Sequence, residues 1–194
     1  MKLNYFKFLI FFGMLFAYGC KEPEARKPVY KSSGSFMKES IVRNKKLIVA
    51  EEKAIDSIIK SNPEKKYLAS EKGYWYTYEI QNQKDTLRPK RGDVAFFDYE
   101  IFDLKGNIIY TALELRPQNY LVDKQEIMIG LRDGIKLMRK NEKVSFLFPS
   151  HIAYGYLGDK NRIGSNVPII CTVTLTDFKK ESDNNNNNNN SSNQ

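Results

Sequence analysis

The chain has 194 residues, 31 Lys and Arg against 23 Asp and Glu, 41% hydrophobic and 13% aromatic residues, one histidine and two cysteines. This length and apolar content suit one domain with its own core plus appendages. One histidine and two cysteines are too few for a Cys/His zinc site, a CxxC redox pair or catalysis by a His-ligated metal, so neither metal nor cofactor is expected.

Residues 1–19 read as a targeting segment: Lys2 and Lys7 give a positive start, residues 8–16 an apolar run, and Ala17-Tyr18-Gly19 a small-x-small approach to Cys20. The apolar run is shorter than the ~18 residues of a spanning helix. The AYGC stretch resembles a bacterial lipobox, in which the cysteine is diacylated and the chain cut before it. An ordinary secretory cleavage after Gly19 is the alternative. The lipobox resemblance implies a membrane anchor on Cys20 and a place in the cell envelope, outside the cytoplasm. Without residues 1–19 the chain keeps 29 basic against 23 acidic side chains. The basic residues lie scattered among acidic ones, which describes a solvated face and no nucleic-acid footprint.

Residues 20–35 form a tether with two prolines, three serines and no apolar period. Over residues 36–62, Met37, Ile41, Ile48, Ile55 and Ile59 recur at helical spacing, with Leu47 and Ile58 widening the stripe, and predict one amphipathic helix. Ser61-Asn62-Pro63 stops it, because proline lacks the amide proton and crowds the preceding turn. The stripe can dock on the domain, pair with a second copy or meet a partner.

From Tyr67 the period becomes two and β-branched and aromatic residues take over. The strand candidates are GYWYTYEIQ, VAFFDYEIF, NIIYTALEL, VSFLFPS and VPIICTVTLTDF, with turn chemistry at residues 103–106. Between them GLRDGIKLM has apolar residues at 131, 135 and 138, the spacing of a short helix. The expected fold over residues 67–180 is α+β, a curved antiparallel sheet wrapped on one short helix. The Asn-rich tail, residues 181–194, has no means of packing.

Nucleophilic catalysis finds no support: there is no GxSxG elbow, and His151 has neither a nucleophile nor an orienting acid at a telling spacing. The segment around it, FPSHIAYGYLG, is instead rich in rings, and Tyr154 follows a proline-ended strand into a loop, where binding residues concentrate. In VPIICTVTL, Cys171 reads as a small core residue.

Three blocks in order, RPKRGDVAFFDYEIFDLKGNIIY, KQEIMIGLRDGIKLM and FPSHIAYGYLGDKNRIGSNVPIICTVTL, resemble the FK506-binding-protein (FKBP) family of peptidyl-prolyl isomerases over about 110 residues. The leading signal and helix further resemble the FKBP-type lipoproteins of gliding bacteria, the gliding-motility-associated isomerases. The resemblance implies action on X-Pro bonds of exported or surface proteins, with proline-containing polypeptides and envelope or motility proteins as partners. It leaves a non-catalytic FKBP-like chaperone or scaffold as the alternative.

Carried across residue by residue, the resemblance makes Tyr99 a wall of the pocket. It puts Ile127 and Met128 on the segment supporting the proline ring, and makes Tyr154 the tyrosine whose hydroxyl reaches the substrate carbonyl. Ile163 falls on an apolar loop residue. Leu131 stands where many members have tryptophan, Ile109 and Cys171 where they have phenylalanine, and Tyr110 where they have aspartate. Arg162 and Asp159 make the overhanging loop more polar than usual. A phenol at 110 brings no negative charge at neutral pH, so turnover of reduced efficiency and weak binding of FK506-like macrolides are expected; Tyr110→Asp is expected to strengthen macrolide binding, and to raise turnover only where room is left beside Ile109.

Overall fold

The structure, a computed structural model, describes residues 33–181. The targeting segment, Cys20, the tether as far as residue 32 and the tail from 182 onward lie outside the described residues. The chain divides into two units, residues 1–39 and 40–194; the second holds most of the first helix and the whole sheet.

The helix α1 runs Ser33–Ser61, three residues earlier than the stripe alone predicts, and ends at the expected Ser61-Asn62-Pro63 stop. Asn62 closes it by donating its side-chain amide to the Ile58 carbonyl at 2.8 Å. Its apolar stripe is treated unevenly. Ile41 and Val42 are exposed, Leu47, Ile48, Ile58 and Ile59 are half-buried, and Ile55 is fully buried. Of the three fates open to the stripe, the later half takes docking on the domain.

The sheet has seven strands: β1 Leu68–Ala69, β2 Trp75–Ile80, β3 Val94–Phe102, β4 Ile108–Tyr110, β5 Gln118–Leu121, β6 Glu142–Phe148 and β7 Ile169–Lys179. All pairs are antiparallel, in the order β1-β2-β6-β7-β3-β4, with β5 also pairing β3. Alternation selects the inner face. Ala95, Phe97 and Ile101 of β3, Val144, Phe146 and Phe148 of β6, and Cys171, Val173 and Leu175 of β7 are buried. The turn between β3 and β4 is an Asx turn, as read from its residues: Asp103 accepts the Lys105 and Asn107 amides at 2.8 and 2.9 Å, and Gly106 takes the left-handed φ of 87°.

The NIIYTALEL segment departs from the strand expected of it. After Tyr110 the chain turns into α2, Ala112–Leu115, opened by a capping box in which Thr111 and Glu114 exchange side-chain and backbone bonds. The Thr-x-x-Glu spacing satisfies two amides that a helix start leaves free, and this local gain overrides the apolar alternation. The short strands β1 and β5 also went unpredicted.

The expected central helix is α3, Ile129–Gly134, continued by a 3-10 turn at Ile135–Leu137. It lies against the inner face, burying Leu131, Ile135 and Met138 in the core. Its closeness requires glycine, since a Cβ at Gly130 would sit 2.6 Å from the Phe148 ring and one at Gly134 2.8 Å from the Phe146 ring. Those two rings stack at 5.3 Å, and Tyr74 meets Phe148 edge-on at 5.2 Å. The Tyr74 hydroxyl then donates to Asp133 of α3 at 2.7 Å, giving the buried phenol its partner.

Candidate active site

The residues that the family resemblance assigns to a pocket come from four parts of the fold. Tyr99 lies on the inner face of β3, Ile109 and Tyr110 on β4, Ile127 and Met128 on the approach to α3, and Tyr154 on the turn after β6. Each is half-buried against the core. Leu131, Ile163 and Cys171 are 1%, 2% and 0% exposed and belong to the core itself. They support the site from within and offer little surface to a ligand. His151 is exposed beside this turn, and the site is built from rings and aliphatic side chains. A cleft of about 370 Å³, lined by Arg88, Arg91, Phe178 and Lys180 among others, includes none of these residues.

Tyr99 and Tyr154 stand close enough to influence each other's titration. Burial raises the Tyr99 phenol above its ordinary value, and the neighbouring Tyr154 works against that rise. The Tyr154 phenol is raised further, first by burial and then by the neighbouring Tyr99 and Cys171. Burial also pushes the Cys171 thiol up, leaving it protonated and unreactive. Both phenols therefore stay neutral hydrogen-bonding groups across the physiological range.

The rim is polar and tightly connected. The Tyr110 hydroxyl donates to Asp159 Oδ2. The other oxygen, Oδ1, accepts the Asn161 and Ile163 amides, each at 2.8 Å. Partial burial pushes the Asp159 carboxyl up, but these bonds outweigh it and hold the group below the usual aspartate range. Arg162 lies over the Tyr110 ring at 4.8 Å, donates to the Ile109 carbonyl at 2.7 Å and pairs with Glu114 at 2.8 Å. Glu114 is held at about 2 by Arg162 and by Thr111. Gly158 opens this loop at φ 63°, and a Cβ there would come within 2.2 Å of the Ile163 carbonyl oxygen. The acid missing from position 110 thus has a counterpart in Asp159, 49 positions further along the chain.

Sequence reasoning noted the polarity of Asp159 and Arg162 but missed Glu114, whose capping-box spacing after Thr111 was the available signal. It also missed Glu51 and Ser150. Both Glu51 oxygens accept from Ser150, at 2.8 Å from the amide and 2.7 Å from the hydroxyl. The signal was a carboxylate between Ile48 and Ile55 on the apolar stripe of α1.

Among the described residues no group of three or more His, Cys, Asp or Glu side chains is placed to hold a metal ion, and no helix is long and apolar enough to cross a membrane.

Comparison with known proteins bears on the fold and the family. One curated relative, the "Probable FKBP-type peptidyl-prolyl cis-trans isomerase FkpA" of Neisseria meningitidis serogroup B, is 22% identical over 98 residues, half of this chain and 36% of that protein. The chain thus spans about a third of the length of the curated relative it matches. The crystal structure of FkpA from Escherichia coli superposes with a TM-score of 0.57 at 20% identity, covering 90% of this chain and 83% of that one. A peptidyl-prolyl cis-trans isomerase from Pseudomonas syringae pv. tomato gives 0.55 at 20% identity, covering 70% and 96%. At this identity the two structures establish the fold, and it is the expected one. Residues 85–176 match the FKBP-type peptidyl-prolyl cis-trans isomerase family, the family that the three sequence blocks and the wrapped sheet point to.

Proposed function

We propose that the protein is a peptidyl-prolyl cis-trans isomerase acting on X-Pro bonds of polypeptides. The observation that carries this reading is the pair Tyr99 and Tyr154, neutral, half-buried, close enough to influence each other's titration and packed, like Ile127 and Met128, against the same core. Rotation about an X-Pro amide faces a barrier of ~18–20 kcal/mol because resonance is lost on twisting. No bond breaks, so neither a nucleophile nor a base is needed. An apolar wall that takes the proline ring and sheds water, with a phenol donating to the carbonyl, favours the twisted amide over both planar forms.

The physiological setting is part of the same proposal. The AYGC stretch supports anchoring through a lipid on Cys20, outside the cytoplasm, with exported or surface proteins as substrates. The likeness to lipoproteins of gliding bacteria supports a role for the motility machinery. Cys20→Ser is expected to move the protein from the membrane fraction to the soluble one, and a wild type already soluble would overturn the anchor.

A second reading, a non-catalytic FKBP-like chaperone or scaffold, is favoured by the near-complete burial of Leu131, Ile163 and Cys171, which closes the base of the pocket. A protease-coupled proline-peptide assay on the full chain separates the two. Turnover above the uncatalysed rate, lowered by Tyr154→Phe, supports the isomerase; a wild type at the uncatalysed rate with intact proline-peptide binding supports the scaffold.

A further inference from the structure

Glu51 lies on the docked side of α1, one turn before the fully buried Ile55, and is itself 5% exposed. A carboxylate is hardly ever buried to this degree unless its charge is met. One residue meets it: the Ser150 amide donates to Oε2 at 2.8 Å and the Ser150 hydroxyl to Oε1 at 2.7 Å, across 99 positions of sequence. Ser150 is buried as well, so water does not compete for either bond.

Ser150 is also the residue on which the next turn is built. Its carbonyl accepts the amides of Ala153 at 3.0 Å and Gly155 at 2.8 Å, the two neighbours of Tyr154. The Pro149 carbonyl belongs to the peptide unit whose amide faces Glu51, and it accepts Ile152 at 3.0 Å and Ala153 at 3.1 Å. A charge-assisted bond on the amide side of a peptide unit polarises its carbonyl and makes it a better acceptor. The Ile152 carbonyl in turn accepts the Gly130 amide at 2.9 Å, in the first turn of α3 after Met128. Both the backbone around Tyr154 and the segment of Ile127 and Met128 are therefore tied to the place where α1 delivers its carboxylate.

We infer that Glu51 is a positioning residue of this site: by fixing Ser150 it sets the direction of the Tyr154 hydroxyl, which makes α1 a working part of the isomerase and not a stalk. The inference rests on the isomerase reading. A purely structural Glu51 would hold the helix down and stabilise the fold equally whatever residue stands at 154. A positioning Glu51 acts through the phenol, and its loss matters less once that phenol is gone.

The test uses the full chain as wild type, Glu51→Gln and Ser150→Ala, each also in a Tyr154→Phe background. Two readouts are taken: kcat/KM on a proline peptide, and hydrogen exchange at the Ala153 and Gly155 amides. Glu51→Gln keeps the shape but turns an amide donor towards one of the two Ser150 donors. Ser150→Ala removes only the hydroxyl bond, and serves if Glu51→Gln folds poorly. Each is expected to speed exchange at Gly155 and to lower kcat/KM by about tenfold, the worth of one well-made hydrogen bond, with most of that activity loss absent when residue 154 is Phe. Equal fold-losses in both backgrounds, or unchanged exchange at Gly155, overturn the inference. A wild type at the uncatalysed rate overturns the isomerase reading instead, and the exchange data then decide alone whether Glu51 holds the Tyr154 turn.

Discussion

The segment joining β6 to β7 is fastened at two places by opposite means. Residues 149–155 are held by a buried carboxylate from α1, both of whose oxygens accept from Ser150. Residues 159–163 are held near the surface by Asp159 and Arg162 through their partners Tyr110 and Glu114. Charge inside a protein, once paired, is costly to unpair; charge at the surface is screened and exchanges readily with water. The turn bearing Tyr154 should therefore be rigid and sensitive to single substitutions, and the overhanging loop adjustable. An isomerase gains from both, since its carbonyl contact must be preset while its mouth admits varied chains.

The largest effect to break this contrast is expected at the buried end. Glu51→Ala leaves the Ser150 amide and hydroxyl buried without partners, and each such group costs ~1–3 kcal/mol. The full chain should lose about 2–4 kcal/mol of stability by urea titration. A loss under ~0.5 kcal/mol, the size of an ordinary surface substitution, would mean that water replaces the carboxylate and that the helix contributes little to the fold.

Next come the phenols of Tyr99 and Tyr154. Tyr154→Phe keeps the ring and removes the hydroxyl; it should lower kcat/KM by about tenfold while the urea midpoint barely moves. Tyr99→Ala should lower it at least as much by removing wall area. Their raised pKa values fix the pH response: both groups stay protonated until the pH passes the ordinary tyrosine value near 10. Turnover should then be flat from pH ~6 to ~9. The stability gained by burying neutral phenols is fully present below that value and is lost only as the pH climbs towards the folded-state values. A profile that bends within that range would show that a group other than these two phenols governs turnover.

The difference between the two regions also decides what could be read from sequence. The strands β3, β6 and β7 and the helix α3 were legible because burial on one face writes a period into the residues, and Leu131, Ile135 and Met138 all reach the core as expected. Tyr154 was legible as a ring placed in a loop. What sequence did not disclose was pairing at long range: the Glu51–Ser150 bonds span 99 positions and the Tyr110–Asp159 bond 49. No local period encodes such partners. The turn into α2 was a local miss, in which a capping box overruled β-alternation. Leu131 and Cys171 were assigned from the family resemblance as pocket lining, and the fold makes them core beneath it.

The rim reverses one expectation. With Tyr110 read by itself, Tyr110→Asp supplies the acid the family usually has there. In the structure the Tyr110 hydroxyl already donates to Asp159, so an aspartate at 110 would bring a second carboxylate towards the first. Like charges in a partly shielded site repel. The substitution should loosen the loop and leave FK506-like macrolide binding unchanged or weaker by about threefold, while Tyr110→Asp with Asp159→Asn should recover it. Tighter binding by the single variant would show that the loop yields easily enough to separate the two acids.

The smallest effect belongs to the Arg162–Glu114 pair. Glu114→Gln removes an exposed ion pair, and such pairs contribute little at low salt and less as salt screens them. Turnover should change less than about twofold, and the change should fade in ~0.5 M salt, where the Debye length falls to roughly 4 Å. Acid should act in the same way on the wild type. Glu114 is held at about 2 against an ordinary value of 4.5, with Arg162 as the first cause and the Thr111 amide and hydroxyl next. A depressed carboxylate pKa means that the contribution of this contact is present above pH ~4.5 and drains away as the pH falls towards ~2. Hydrogen exchange in residues 159–163 should therefore rise between those two values, and at neutral pH Glu114→Gln should loosen the same residues while the Gly155 amide keeps its wild-type protection. If Gly155 loosens together with residues 159–163 in Glu114→Gln, the loop is one cooperative unit and the division between its buried and exposed fastenings is lost.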